Sequence, residues 1–406
     1  MLNGRRFTIF GALCQGEDVP KVLFRILISF TFLASFLVLP AAAQQALGFD
    51  TKAPQAFLVE ESTGTVLFSK NADAVFPPAS LQKLATAEYV FNELKSGNVS
   101  EDTLYKVSEY AWRTGGALSR TSTMFAALNS EIRVIDLLRG VIVHLANDAC
   151  IILAEGLAGS EDAFAEKLNE RARSLGLTKS FFANSNGLPN EKNKTTAREM
   201  VFLARHIRSA YPDYFRLYAE EQFEWNKINQ RNKNKLVFEN NGIDGFATGF
   251  AEGHGFSVVA TAERNGVRLY LALAGLKTDK ERTEETRRVF DWAFNNFKRH
   301  KVFRKDEIVA EAPVFGGDVS RVPLKPETDV DIYIPVDNPD RIRARIAYTW
   351  PLRVPITTGQ KVGMMSVSVG EKQVLEVPVY ATMDVGTGTL TSKAFDGLKE
   401  LLFFWL

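Results

Sequence analysis

Ser80 and Lys83 are the first residues of this sequence whose types and spacing could do chemistry. They lie three residues apart in the stretch PPASLQK, which runs from Pro77 to Lys83. Side chains three apart on a helix share a face, so these two can touch. A serine hydroxyl is a weak nucleophile that needs a base, and burial can lower the pKa of a lysine enough to make it that base. The ordinary alternative is a helix-capping serine beside a surface lysine.

The overall composition argues against several other classes of function. The 406 residues carry 49 Lys and Arg against 48 Asp and Glu. A net charge near zero argues against nucleic acid as the main partner, because phosphate binding needs a positive excess. The four histidines are scattered and form no HExxH motif, zinc-type cluster or evident Ser-His-Asp set. The sequence therefore indicates no metal and no organic cofactor.

The N-terminus predicts export from the cytoplasm. A basic segment is followed by the apolar run ILISFTFLASFLVLP, and Ala41 and Ala43 then fit a signal-peptidase site. Residues 1–43 are therefore predicted to be a signal peptide, and the alternative is a membrane helix that stays attached. Cys14 would leave with this segment, so Cys150 would remain alone and no disulfide framework is expected.

Residues 44–298 have the pattern of one α/β domain. Two β-rich runs flank a turn at residues 62–65, and two more meet at Asn265-Gly266, which is the strongest short hairpin signal. Helical spacing dominates between them, and the stretch ERTEETRRVFDWAFNNFKRH predicts a closing helix over residues 281–300. Strands at both ends with helices between predict an antiparallel sheet assembled from distant parts of the chain.

The remainder of the chain predicts a second domain and a terminal helix. Residues 302–388 carry short Val-rich runs punctuated by Gly and Pro, which is typical of a small β-sandwich. Residues 391–406 would form an amphipathic helix. Sixteen residues rise about 24 Å, short of the roughly 30 Å bilayer core, so we expect this helix to lie on a membrane surface rather than span it. The alternative is a helix docked on its own domain.

Several longer stretches carry a resemblance to a known family. They are PPASLQKL, AWRTGGALSRTSTMF, NDAC, FANSNGLP, TTARE and IDGFATGF. With them the chain resembles the penicillin-binding serine D-Ala-D-Ala carboxypeptidases, the low-molecular-mass group that trims peptidoglycan stem peptides. That family carries Pro-Ala-Ser-x-x-Lys, then Ser-x-Asn, then Lys-Thr-Gly. The resemblance implies a serine β-lactamase/transpeptidase-like fold, an antiparallel sheet with a helical subdomain, followed by the small β domain and the terminal helix.

The resemblance also implies a mechanism. Ser80 attacks the carbonyl between two D-alanines, Lys83 takes its proton, and water later hydrolyses the acyl-enzyme. Asn147 would hold the substrate amide and contact Lys83. The backbone N–H groups of Ser80 and Phe250 would form the oxyanion hole.

The implied partners follow from the same family. Residues Ala247, Thr248 and Gly249 fall at the third motif, on the edge strand that pairs with the peptide by strand addition. Stem peptides are the expected substrates and β-lactams are expected ligands. The protein is expected in the periplasm, at the outer face of the inner membrane through its terminal helix.

Two side chains of the family pattern are missing from this sequence. Leu145 stands where the second motif has its serine, and Ala247 stands where the third has its lysine. Leu145 has no proton to relay to the leaving amine, and its bulk is expected to intrude on the cleft. Ala247 supplies no positive charge near the substrate carboxylate.

Arg282 offers a partial replacement for that charge. It falls where the family carries an arginine near the substrate carboxylate, which a guanidinium can hold through two parallel hydrogen bonds. The alternative is a helix-start arginine paired with Glu285. Lys277-Thr278 is followed by Asp279 rather than glycine and is expected in a loop outside the site.

Three functions compete at this point. The first is a carboxypeptidase that trims stem peptides with reduced turnover. The second is a pseudoenzyme that binds peptidoglycan or an envelope partner through the same cleft as a scaffold. The third is a β-lactamase, which shares the Ser-x-x-Lys start but for which no convincing deacylating glutamate is found.

Overall fold

The computed structural model of the protein describes residues 6–11, 48–336 and 341–390. The chain divides into two compact units, residues 43–296 and a second unit that joins residues 297–406 with residues 1–42. Most of the predicted signal peptide and all of the predicted terminal helix, residues 391–406, lie outside the described residues.

The described residues form α-helices and β-strands with the following bounds. In chain order they are β1 (Arg6–Gly11), β2 (Gln55–Glu60), β3 (Val66–Lys70), α1 (Lys83–Lys95), β4 (Leu104–Lys106), β5 (Glu131–Arg133), α2 (Val134–Val143), α3 (Asn147–Ala158), α4 (Glu161–Ser174), α5 (Ala197–Ala210), α6 (Pro212–Phe215), β6 (Gln222–Trp225), β7 (Ile228–Arg231), β8 (Ile243–Ala251), β9 (Gly255–Arg264), β10 (Val267–Leu276), α7 (Asp279–Asn296), β11 (Phe297–Phe303), β12 (Ala310–Phe315), β13 (Arg321–Lys325), β14 (Val330–Pro335), β15 (Ile342–Thr349), β16 (Leu352–Arg353), β17 (Lys361–Val369) and β18 (Lys372–Ala381).

The main sheet of the first unit has five strands in the order β3-β2-β10-β9-β8. Every neighbouring pair is antiparallel. The turn between β9 and β10 consists of Asn265 and Gly266, both at positive φ (52° and 75°), as a two-residue hairpin loop requires. The predicted antiparallel sheet and this hairpin are confirmed, and β8 lies at one edge of the sheet.

Helix α1 is buried on every side over its first turns. Its residues from Lys83 to Phe91 are all buried, and apolar side chains such as Leu84, Val90 and Phe91 pack into the main hydrophobic cluster. A helix that is buried all round lies in a core rather than at a surface. The position of Lys83 at the head of this helix is therefore what buries its amine.

The closing helix is shorter than the sequence predicts. Helix α7 ends at Asn296, and residues 297–300 belong instead to β11, which pairs antiparallel with β14. The prediction of a helix to residue 300 was wrong because helical spacing cannot register a strand partner more than thirty residues further along the chain.

The second unit is built from strands. A seven-stranded sheet has the order β1-β15-β17-β18-β13-β12-β16, and β11 and β14 form a separate pair. Val322, Ile332, Ile346 and Val379 belong to one buried cluster that contains residues of both sheets. Within the described part of the chain, no helix combines the length and the apolar character needed to cross a membrane.

A buried carboxylate fixes α1 against its neighbours. Glu88 is 1% exposed and accepts hydrogen bonds from Arg171 (2.6 Å), His206 Nε2 (3.1 Å) and the Tyr211 hydroxyl (3.1 Å). Burial by itself raises the pKa of Glu88, but the hydrogen bonds from His206 and Arg171 outweigh it, so the pKa lies below the ordinary 4.5. The carboxylate therefore stabilises the fold in its charged form.

We expect Glu88→Gln to lower the free energy of unfolding by about 3 kcal/mol near neutral pH, because it breaks a buried ion pair. The native contribution is complete above the pKa of the unfolded carboxyl and is lost as pH falls through the lower folded pKa. The deficit of the variant should therefore shrink below about pH 4. Urea unfolding across this pH range measures it. Glu109→Gln, which removes an exposed ion pair with Arg113, is the control and should change stability by less than about 0.5 kcal/mol.

Candidate active site

Ser80 lies on a tight turn immediately before α1. Residues Ala79–Gln82 form a single 3₁₀ turn, and Ser80 is half-buried. Ala79 has φ of 47°, a left-handed conformation that is uncommon for a residue with a Cβ and costs conformational energy. The packing around this turn must compensate the conformational energy of Ala79. The same packing thereby fixes the orientation of the neighbouring Ser80.

The amine of Lys83 meets the hydroxyl of Ser80. Lys83 Nζ lies 3.3 Å from Ser80 Oγ and is 2.6 Å from the backbone carbonyl oxygen of Asn186, to which it donates a hydrogen bond. Lys83 is 2% exposed, and no side-chain hydrogen bond caps α1 among the described residues. The interpretation of a capping serine beside a surface lysine is therefore wrong.

Burial governs the protonation of Lys83. Desolvation lowers its pKa, and the Asp148 carboxylate opposes that shift only in part. An amine with a lowered pKa is neutral in a larger fraction of molecules, and a neutral amine can accept a proton. Burial also raises the pKa of the Cys150 thiol to about 12, so this cysteine stays protonated and is no competing nucleophile.

A loop about 100 residues further along the chain, which contains Ser185 and Asn186, packs against the first turn of α1. Thr86 Oγ1 donates to the carbonyl of Ser185 (2.5 Å), one residue before the carbonyl that receives Lys83. The next residue, Gly187, has φ of +78°, and a Cβ there would overlap the carbonyl oxygen of Ala79. Glycine is therefore required at this point, where the loop touches the strained turn that carries Ser80.

Asn147 is the first residue of α3 and is 4% exposed. Its side-chain Nδ2 donates to Thr121 Oγ1 at 2.8 Å. The sequence led us to expect a contact with Lys83, but no hydrogen bond joins the two among the described residues, and the Lys83 amine is directed to Ser80 and Asn186. The charge of neighbouring Asp148, in the first turn of α3, acts on the Lys83 amine and opposes the lowering of its pKa.

The two positions that depart from the family pattern are both buried. Leu145 is 6% exposed, Ala247 is 2% exposed, and both belong to the main hydrophobic cluster. The Leu145 side chain is thus packed among apolar neighbours, and its backbone holds φ of 54°. Neither residue supplies a proton or a charge to the site.

The edge strand lies against the turn of Ser80. A Cβ at Gly249 would be 3.2 Å from the carbonyl oxygen of Pro78 and 3.4 Å from Leu81 Cγ, so the strand backbone approaches the turn on both sides of Ser80. Thr248 is 7% exposed, whereas Phe250 is 56% exposed. The structure therefore brings the third-motif strand together with Ser80.

Arg282 lies at the start of α7 and is 6% exposed. It forms an ion pair with Asp279, whose other oxygen accepts from Lys235 Nζ at 2.8 Å. Pairing with Glu285, the alternative drawn from the sequence, is wrong, because Glu285 bonds Arg288 instead. Two cations share one carboxylate at this point, so the cluster keeps a net positive charge.

The described residues contain no group of three or more His, Cys, Asp and Glu that could hold a metal ion.

Two family models match the chain. The model described as D-alanyl-D-alanine carboxypeptidase matches residues 40–278, and the model described as penicillin-binding protein 5, C-terminal domain, matches residues 297–387. The chain belongs to the D-alanyl-D-alanine carboxypeptidase family. The predicted family and two-part fold are thereby confirmed.

Relatives of this family resemble the chain over most of its length. It is 32% identical to D-alanyl-D-alanine carboxypeptidase DacC of Escherichia coli (strain K12), over 92% of this chain and 94% of that protein. It is 31% identical to DacA of Haemophilus influenzae, over 90% and 95%. The solved penicillin-binding protein 5 from Haemophilus influenzae superimposes with a TM-score of 0.73 at 31% identity, over 83% of this chain and 98% of that one. The predicted D-Ala-D-Ala carboxypeptidase function is supported by all three.

Sequence reasoning missed three contacts around Ser80, Lys83 and Asn147. They are the carbonyl of Asn186, the close approach at Gly187 and the hydroxyl of Thr121. The first two lie in the stretch FANSNGLP and the third in AWRTGGALSRTSTMF, so the resemblance marked both segments without assigning these roles.

Two glycines with nearly the same φ distinguish the energetic cost of a positive φ from the cost of a steric overlap with a neighbouring backbone. Gly176 has φ of +81° with open space around it, whereas Gly187 has φ of +78° against Ala79. We expect Gly176→Ala to cost about 1 kcal/mol, a fall of roughly 2–4 °C in melting temperature. Gly187→Ala should cost at least twice as much, because the Ser80 turn must move. Equal melting temperatures for the two variants, measured by calorimetry, would contradict this packing.

Proposed function

We propose that Ser80 is the nucleophile and Lys83 the general base of a carboxypeptidase that removes the terminal D-alanine from peptidoglycan stem peptides, with reduced turnover. The observation that carries this proposal is the 3.3 Å contact between Ser80 Oγ and an amine that is 2% exposed. A nucleophile within hydrogen-bond reach of a base with a suitable pKa is the arrangement that acyl transfer needs.

The reaction divides into two stages. Neutral Lys83 takes the proton of Ser80 as Oγ bonds to the carbonyl carbon between the two D-alanines. The C–N bond then breaks, and the terminal D-alanine leaves as its amine after receiving the proton that Lys83 took from Ser80. Water next attacks the ester on Ser80, which releases the shortened peptide and restores the hydroxyl.

The two departures from the family pattern act on separate parts of this reaction. Leu145 provides no hydroxyl to carry a proton to the leaving amine, and loss of a proton-transfer group typically costs about 10²–10⁴ in rate. Ala247 provides no cation, and loss of one charge-assisted partner typically costs about 2–5 kcal/mol. Arg282, with Lys235 on the shared Asp279, is the cation proposed to attract the substrate carboxylate.

The proposed ligands and the proposed cellular location are those expected for a member of this family. Thr248, Gly249 and Phe250 lie on the edge strand proposed to pair with the peptide and, through the Phe250 N–H, to assist the oxyanion. β-Lactams are proposed as ligands, since a relative at 26% identity, penicillin-binding protein D2 from Listeria monocytogenes, was solved in its ampicillin-bound form. We propose an exported, periplasmic protein whose residues 391–406 associate with the inner membrane surface.

A scaffold without turnover is the second candidate. Leu145 and Ala247 favour it, because the cleft keeps its nucleophile and base while it lacks two polar groups that assist them. Such a protein would bind peptidoglycan or an envelope partner through the same cleft.

A fluorescent penicillin distinguishes the two candidates. We expect slow covalent labelling of Ser80 in the native protein and faster labelling in the Leu145→Ser, Ala247→Lys double variant, because that variant regains the proton relay and the cation. Gel fluorescence over time measures the rate, and peptide mass spectrometry locates the adduct.

Two variants control this experiment. Ser80→Ala removes the nucleophile, and Lys83→Arg keeps a cation but provides no base, so neither should be labelled. An absence of label in both the native and the restored protein would contradict a retained active site. Rapid labelling of the native protein would show that the two missing side chains are dispensable.

A further inference from the structure

The turn between β8 and β9 contacts the segment of chain that precedes Ser80. In this turn the imidazole of His254 stacks on the ring of Phe76, with ring centroids 5.4 Å apart and ring planes inclined by only 4°. Offset stacking at this distance is a favourable arrangement of two aromatic rings. Phe76 is 3% exposed and lies four residues before Ser80. The stacked pair, which we call the ring clamp, therefore joins the end of the β8–β9 hairpin to the segment that carries the nucleophile.

Backbone contacts hold both sides of the ring clamp. Phe76 and Thr195 exchange two N–H to carbonyl hydrogen bonds, each of 2.9 Å. The N–H of His254 closes its own turn by donating to the carbonyl three residues before it, at 3.1 Å. A Cβ at Gly255 would lie 2.4 Å from the carbonyl oxygen of Leu276, so the turn is pressed against the end of β10. The two rings therefore meet between segments whose backbones are each fixed independently.

The ring clamp is one of two contacts between the hairpin and this segment. The other is at Gly249 on β8, where a Cβ would lie 3.2 Å from the carbonyl oxygen of Pro78. Along the hairpin, Phe250 lies between Gly249 and His254, and its N–H is the proposed oxyanion donor. Loss of the contact with Phe76 would leave the hairpin held to the segment on one side of this N–H only.

Protonation of His254 opposes the ring clamp. Its Nε2 atom is buried and has no hydrogen-bond partner among the described residues. An imidazolium is a donor at both nitrogens, so protonation would leave a charged, buried N–H without an acceptor. That cost exceeds the attraction between a cation and the face of the Phe76 ring. The neutral imidazole is therefore the form that stacks.

The charged residues of the surrounding segments do not offset this cost. They are Glu252 on the turn, Asp73 before Phe76, Lys194 and Arg198 on either side of Thr195, and Lys277 after β10. Asp73 and Arg198 pair with each other at 2.9 Å, and the other three residues are exposed. Burial lowers the pKa of His254 below the ordinary 6.5, and none of these charges contributes to the shift.

We propose that His254 is a positioning residue whose neutral ring, stacked on Phe76, holds the β8–β9 hairpin against the segment before Ser80, and whose protonation in acidic surroundings releases the hairpin and slows attack by Ser80. The two rings act through the backbone at Phe250 rather than on the substrate. This inference rests on the proposed function, because it takes Ser80 as the nucleophile and the Phe250 N–H as an oxyanion donor.

The pH dependence of labelling by a fluorescent penicillin tests the proposal on the full chain. His254→Phe keeps a ring that stacks but takes no proton. The labelling rate of the native protein divided by that of His254→Phe should be close to one at about pH 8 and at least about threefold lower at about pH 4.5, with the fall confined to pH values below about 6.5. Titration of Lys83 affects both proteins alike, so it cancels in this ratio.

Two further variants complete this experiment. His254→Ala removes the ring and should be labelled at least about threefold more slowly than the native protein even at about pH 8, because the hairpin is then released at every pH. His300→Phe, which replaces an exposed histidine on β11, is the control and should follow the native pH profile. Identical profiles for the native protein and His254→Phe, or a native rate in His254→Ala, would overturn the proposal.

A second measurement decides the matter even if the native protein forms no adduct. In a Ser80→Ala background, nuclear magnetic resonance follows the His254 ring through a pH titration, and its signals are assigned by their loss in His254→Phe. Ring-to-ring contacts with Phe76 should be seen at about pH 8 and disappear as His254 titrates, with a midpoint below about 6.5. Contacts that persist on the protonated ring, or a midpoint at or above 6.5, would refute the proposed release. Absent labelling in every variant, together with the expected loss of ring contacts, would refute the proposed catalysis alone.

Discussion

An amine removed from water beside a hydroxyl is the interaction on which the rest of the structure depends. Lys83 occupies the head of a helix that is buried on all sides, and this position both lowers its pKa and directs it to Ser80. A buried amine needs polar partners, and the carbonyl of Asn186 supplies one at 2.6 Å. The loop that carries this carbonyl therefore stabilises the buried amine, and Gly187 lets the loop approach the strained turn before Ser80.

The site keeps its geometry while it lacks part of its chemistry. The Ser80 hydroxyl meets the buried Lys83 amine, the edge strand approaches the turn that carries Ser80, and the charge of Asp148 on α3 acts on Lys83. The proposed deficits are a proton relay at Leu145 and a cation at Ala247, and both positions hold apolar side chains packed in the core.

The sequence predicted those parts of the fold that depend on residues close together along the chain. The Asn265-Gly266 hairpin follows from the backbone of a two-residue turn, and the Ser80–Lys83 contact follows from spacing near a helix start. The partners of the site residues could not be predicted in this way, because Lys83 and Asn186 are 103 residues apart and Asn147 and Thr121 are 26 apart. The family resemblance marked these segments without assigning the bond between Asn147 and Thr121.

The pKa of Lys83 is the quantity that tests this account most directly. Nuclear magnetic resonance of protein labelled with ¹³C at the lysine side chains follows each amine through a pH titration, and the Lys83 signal is identified by its loss in Lys83→Arg. A midpoint clearly below the ordinary 10.5 is the predicted result, because burial disfavours the charged form. A midpoint at or above 10.5 would contradict the assignment of Lys83 as the base that activates Ser80.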